Sequence, residues 1–226
     1  MGLGTAKQEN KIFLSVGFGK IRQKTLENGT KVNAETPNAK LRKTQSGLEV
    51  WALEYDNITG VIENIFYKED ANYGNSFEVS IRSGLDLYQL SFSDDSRFWF
   101  DLASRLPNVD FKQDVKIHTF DFVSKDGKRV VGLRVKQNEQ DVSNFYTKKE
   151  NDKWVSIQGY PNSADVDWTD KDDIKLYTIK LKKYFKFEFN NRIFPKFSEH
   201  TEVPEHEINN TPLPDAYYNE QPDLPF

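Results

Sequence analysis

Three histidines, His118, His200 and His206, and no cysteine are all that this 226-residue chain offers for imidazole or thiolate ligation and thiol chemistry. No His-Glu-x-x-His pair, zinc spacing or Walker loop is present, so zinc hydrolysis and nucleotide hydrolysis lack their usual groups. Gly17-Phe18-Gly19 is not a dinucleotide fingerprint, because the third glycine and the following helix are missing; it reads as a bend in a strand. Asp165, Asp167 and Asp170 hint at a calcium loop, but Asp170 stands at its sixth position, where such a loop requires glycine, and a solvated loop is the expectation. Carboxylates scattered along the chain could converge on two magnesium ions in a nuclease, yet their spacing gives no sign of it. The expectation is a chain that is not an enzyme and needs no cofactor.

Binding chemistry is better represented. Aromatic residues number 31, equal to the sum of Lys and Arg. Rings interleaved with cations are what a single nucleic-acid strand requires, the rings for bases and the cations for phosphates. The net charge of −4 hides two parts: residues 1–197 carry +3, whereas 198–226 carry seven acidic side chains and no Lys or Arg. A body so mildly basic fits a single strand better than the coating of a duplex.

Residues 198–226 also hold five of the nine prolines. Prolines remove backbone donors, and too few apolar residues remain to offset the entropy of ordering, so the segment reads as a disordered acidic tail. It closes on Asp223-Leu224-Pro225-Phe226, where two apolar side chains beside an acid and a terminal carboxylate suit a partner's pocket. An acidic tail with this tip, after a β-rich aromatic and basic body, resembles the single-stranded DNA-binding proteins of bacteria and, given the body's length, more closely those of their phages. The resemblance rests on the tail and on the body's composition. It implies that the tip recruits replication and repair proteins, and that the body is an oligonucleotide-binding barrel.

The body reads as one domain, 1–197. A strand starting near Lys11 alternates Ile12, Leu14, Val16 and Phe18 with Phe13, Ser15 and Gly17, so that one face is strongly apolar, and Asn28-Gly29 is a hairpin signal. Residues 30–47 form a basic loop that could act as a flap. In 48–55, Trp51, Leu53 and Tyr55 share a face; further strands fit 60–67, 76–82 and 85–92. Phe98, Leu102 and Leu106 recur at helical spacing after Asp94, Asp95 or Ser96 as the cap, giving one short helix with Trp99 assigned to the core. Strands at 116–123 and 128–137 flank an Asp126-Gly127 turn, with Val131, Leu133 and Val135 on one face and Arg134 and Lys136 on the other. A strand is expected at 140–148, and a last long one at 174–189, where Ile179, Leu181, Phe185 and Phe187 alternate with lysines.

The fold expectation is therefore all-β, mainly antiparallel, a barrel of the oligonucleotide-binding kind with one short helix; patterning leaves a β-sandwich open. Trp51, Tyr55, Tyr88 and Tyr146 are the expected stacking rings, with the core as the competing place for each. Arg22, Lys24, Lys43, Arg82, Arg134 and Lys136 are the expected phosphate contacts. The rival expectation is a β-rich interaction module that binds no nucleic acid. No apolar run spans a bilayer and no signal peptide opens the chain, so no membrane partner is expected and the cytoplasm, a host's if the chain is phage-encoded, is the expected compartment.

Overall fold

The structure is a computed structural model and describes residues 11–43, 47–72, 74–151, 153–164 and 166–198. Strands dominate it. Ten of them form one mixed sheet in the order β10 (Gln140–Asp141), β9 (Arg129–Gln137), β8 (Val115–Val123), β5 (Asn57–Lys68), β6 (Ser76–Ser83), β7 (Asp86–Ser93), β1 (Lys11–Gly17), β2 (Lys20–Gln23), β4 (Glu49–Tyr55) and β3 (Lys40–Lys43), and a separate hairpin pairs β11 (Thr147–Glu150) with β12 (Lys153–Ser156). All pairings in the large sheet are antiparallel except β1 (Lys11–Gly17) with β7 (Asp86–Ser93), which run parallel.

The sheet is organised by a long stretch of extended backbone. β4 (Glu49–Tyr55) and β5 (Asn57–Lys68) are separated only by Asp56. β4 pairs with β2 (Lys20–Gln23), and β5 pairs with β6 (Ser76–Ser83) and β8 (Val115–Val123). The run β5-β6-β7-β1-β2-β4 thus starts and finishes on the same segment. The Asp56 corner is pinned from two sides. Its carbonyl accepts from the Thr119 amide at 2.8 Å and the Thr119 hydroxyl at 3.2 Å, and its carboxylate pairs with Lys20.

Alternation fixes which face of each strand is buried. Phe77, Val79 and Ile81 on β6 oppose Phe92, Leu90 and Tyr88 on β7, and Ile12 and Leu14 continue that face on β1. Register with Ile62 and Ile65 extends it to β5, and Ile58 opposite Ile117 carries it to β8. The first helix, α1 (Arg97–Ala103), begins at Ser96, whose hydroxyl accepts from the Trp99 amide at 3.1 Å. Trp99 is fully buried and stacks on Phe77 with ring centroids 3.8 Å apart, as the sequence leads one to expect of a core residue. Asp101 of α1 accepts from the Leu133 amide on β9 (Arg129–Gln137), capping a stretch of edge not covered by the two-residue β10 (Gln140–Asp141).

The expected strand at 174–189 is instead a helix, α2 (Lys171–Glu188). Asp170 caps it, accepting from the Asp172 amide at 2.7 Å, and Asp172 and Asp173 lie in the first turn, where negative charge is favourable. Its buried residues Leu181, Phe185 and Glu188 follow helical spacing. Ile179 and Phe187, which create the apparent alternation, are solvent-exposed. A short π-helical segment, Phe189–Ile193, and a last turn, Pro195–Ser198, follow. Two further expectations change. Residues 30–47 include a strand, β3 (Lys40–Lys43), paired with β4. Most of 140–148 is loop, held by the Asn144 side chain accepting from the Tyr146 amide.

Candidate nucleic-acid interface

The outward faces of β8 and β9 carry a group of cations that form no ion pair among the described residues. Burial of Val115, Ile117 and Thr119 on β8 and of Leu133 and Val135 on β9 turns Lys116, His118, Phe120 and Phe122, with Arg134 and Lys136, away from the core. The register then places Lys116 opposite Lys136 and His118 opposite Arg134. Like charges directly opposite on adjacent strands are destabilising. Among the described residues none of Lys116, Lys136 and Arg134 forms an ion pair, although Asp141 lies opposite Lys136 on its other side. Arg134 instead sits 5.4 Å over the Phe120 ring, and Phe122 beyond it is 49% exposed. On the neighbouring β5, Thr59 and Asn57 continue the two rows beside Lys116 and His118.

Next to this face the cations are already paired. Arg42 forms a two-pronged hydrogen bond to Glu54, at 2.9 and 3.0 Å, and Arg22 approaches the same carboxylate at 3.6 Å. Arg42 therefore holds the Glu54 carboxyl below its ordinary value. Arg22 is 4% exposed, and burial lowers its pKa. Arg129 binds Asp121 through both carboxylate oxygens. The β1–β2 turn touches the same corner. Gly19 adopts a positive φ, and a Cβ there would lie 2.3 Å from the Asp121 Cβ, so only glycine fits. Phe18 before it also has φ +55°, a strained conformation for a bulky residue, and its half-exposed ring lies over the Arg22 guanidinium at 5.1 Å.

The residues expected at the site are dispersed. Arg134 and Lys136 stand together on the outward face. Arg82 shares that face two strands away, tied by both prongs to Glu63. Arg22 is enclosed beneath Phe18 and committed to Glu54, with no surface for a phosphate. Lys43 pairs with Glu49 at the far end of the β3–β4 arm, where Trp51 is half-buried opposite Leu41. Lys24 is exposed just past β2. Tyr55 and Tyr88 line a cavity among β1, β2, the Asp56 corner and the β6–β7 turn.

Tyr146 is 0% exposed and presents no ring face to a base. It packs among Tyr160, Tyr184 and Phe185, and its hydroxyl donates to Glu188 at 3.0 Å. Desolvation in this cluster pushes the Tyr146 and Tyr160 hydroxyls far up and that of Tyr184 to about 12. Lys116, His118, Phe120 and Phe122 do not stand out in the sequence. The signal that could have found them is the Asp-Gly hairpin, which fixes which β8 residues stand beside Arg134 and Lys136.

Asp223, Leu224, Pro225 and Phe226, the expected partner-binding tip, and the rest of 199–226 lie outside the described residues, as does Asp165. Among the described residues no group of three or more His, Asp or Glu side chains could hold a metal ion, and no helix is long and apolar enough to cross a membrane. The chain matches no known family model, and no curated protein or solved structure is similar enough to it to count as a match.

Proposed function

We propose that this chain binds single-stranded DNA with little sequence preference, as a non-enzymatic protein of replication, recombination and repair. The outward face of β5, β8 and β9 holds the strand. The observation that carries this reading is the opposition of Lys116 to Lys136 and of His118 to Arg134 on a solvent face flanked by exposed Phe122. The Lys116–Lys136 opposition costs folding stability and gains a purpose when a polyanion lies across it. Phe120 and Phe122 supply ring surface for bases. The run of pairings from β5 through β6, β7, β1 and β2 back to β4 supports reading the body as a barrel of the oligonucleotide-binding kind. In this reading the acidic tail ending Asp223-Leu224-Pro225-Phe226 recruits partner proteins.

Fluorescence anisotropy with a labelled single strand and the matching duplex, each at two salt concentrations, tests the proposal. Preference for the single strand with affinity falling as salt rises is expected; equal affinity for both forms, or none for either, overturns it. The interaction-module reading is favoured by a different observation, the solvent-exposed Leu176, Ile179 and Phe187 of α2. It predicts no salt-dependent DNA binding.

A further inference from the structure

The cavity lined by Tyr55 and Tyr88 has a volume of about 380 Å³, within the range of small-ligand sites. Its floor is aliphatic, formed by Ile12, Leu14, Ile21 and Ile58. One polar side chain lines it from a buried position. Gln23 is 6% exposed, its amide oxygen accepts from the Tyr55 hydroxyl at 2.9 Å, and its NH2 end has no partner among the described residues. That donor reaches the cavity and is available to an acceptor placed there.

The rim defines the ligand further. Glu27 lines the cavity, and Asp86 lies beside the Tyr88 hydroxyl at 3.4 Å, so the opening is acidic and disfavours phosphate. Asn57 and Thr59, also on the rim, are the cross-strand partners of His118 and Lys116. The cavity and the cation-bearing face thus meet along residues 57–59 of β5. A polymer with an anionic backbone and neutral planar side groups matches that layout: charge on the lysine row, an uncharged heterocycle between the tyrosines.

We propose that this cavity receives a single unstacked nucleobase of the bound strand, with the Gln23 amide donating to a ring or exocyclic acceptor. The proposal rests on the single-strand reading. It gives that reading a discrete base site in addition to an open surface.

The test uses the full chain labelled with nitrogen-15 and three probes at millimolar concentration: thymidine, deoxyguanosine and deoxyribose phosphate. Both nucleosides should shift the Gln23 side-chain NH2 and the backbone amides of Tyr55, Ser83 and Tyr88, while the sugar phosphate should not. Unmoved signals with the nucleosides, or equal shifts with the sugar phosphate, overturn the base site. A second arm places a large ring at the mouth with Ser83→Trp. Oligothymidylate affinity should fall about tenfold, with the salt slope kept, because base stacking is removed while every phosphate stays neutralised. Wild-type affinity in a folded Ser83→Trp protein also overturns the proposal. Salt-dependent oligonucleotide binding without a nucleoside response removes the cavity alone; no binding of the oligonucleotide by the wild type removes the single-strand reading itself.

Discussion

Two neighbouring regions handle positive charge in opposite ways. At the corner of β2, β4 and the tips of β8 and β9, the cations are internally matched: Lys20 with Asp56, Arg22 and Arg42 with Glu54, Arg129 with Asp121. A few residues along β8 and β9, Lys116, Lys136 and Arg134 have no acidic partner within ion-pair distance among the described residues, and Lys116 and Lys136 stand against each other. The first arrangement fixes a bend in the sheet. The second stores unfavourable electrostatics that a bound anion relieves.

The largest expected effect breaks the matched corner. Glu54→Ala leaves the buried Arg22 guanidinium without its carboxylate, and a drop of about 3 kcal/mol in stability is expected by denaturant unfolding. The same pair has a pH signature. Because Glu54 is held below its ordinary value of 4.5, its contribution is complete above that pH and disappears as pH falls through the folded value. Glu54→Gln should therefore flatten that part of the acid limb of a stability profile.

Matching the open face is the complementary change. Lys116→Glu places a carboxylate opposite Lys136 and should raise stability by about 0.5 kcal/mol, while single-strand affinity falls more than tenfold at low salt. Parallel melting and anisotropy measurements on the one variant check both signs. Affinity reduced only in proportion to a lowered melting temperature would make the face structural.

Smaller effects separate rings from charges. Phe122→Ala should weaken single-strand binding by about 1–2 kcal/mol with the salt slope and melting temperature nearly unchanged, since the ring is 49% exposed. Phe18→Gly relieves a positive φ at a bulky residue and should leave stability equal or about 1 kcal/mol higher, even though it removes the ring from over Arg22. Chemical denaturation checks this, and a marked destabilisation would show that the ring–guanidinium attraction outweighs the strain.

Legibility in the sequence follows the range of the interactions. Arg134 and Lys136 are assigned to an outward face correctly because alternation and an Asp-Gly turn are local signals. Which residues face them is a matter of register, so Lys116 and His118 do not stand out. Arg22 looks like a surface cation because nothing in KIRQ reveals Glu54 thirty-two positions on. The 171–188 helix reads as a strand because Ile179 and Phe187 mimic period two while facing solvent, and the Asp170 cap reads as part of a loop. Tyr146 shows the same limit: a Phe-Tyr pair beside lysines has a stacking composition, but its packing partner α2 has the pattern of another kind of element.

The most direct measurement is the dependence of single-strand affinity on salt concentration for the wild type and for Lys116→Ala combined with Lys136→Ala. If the two lysines meet phosphates, the slope of log affinity against log salt should become shallower by about 1.4, or roughly 0.7 for each phosphate no longer neutralised. An unchanged slope in a folded double variant would contradict the assignment of this face to the strand.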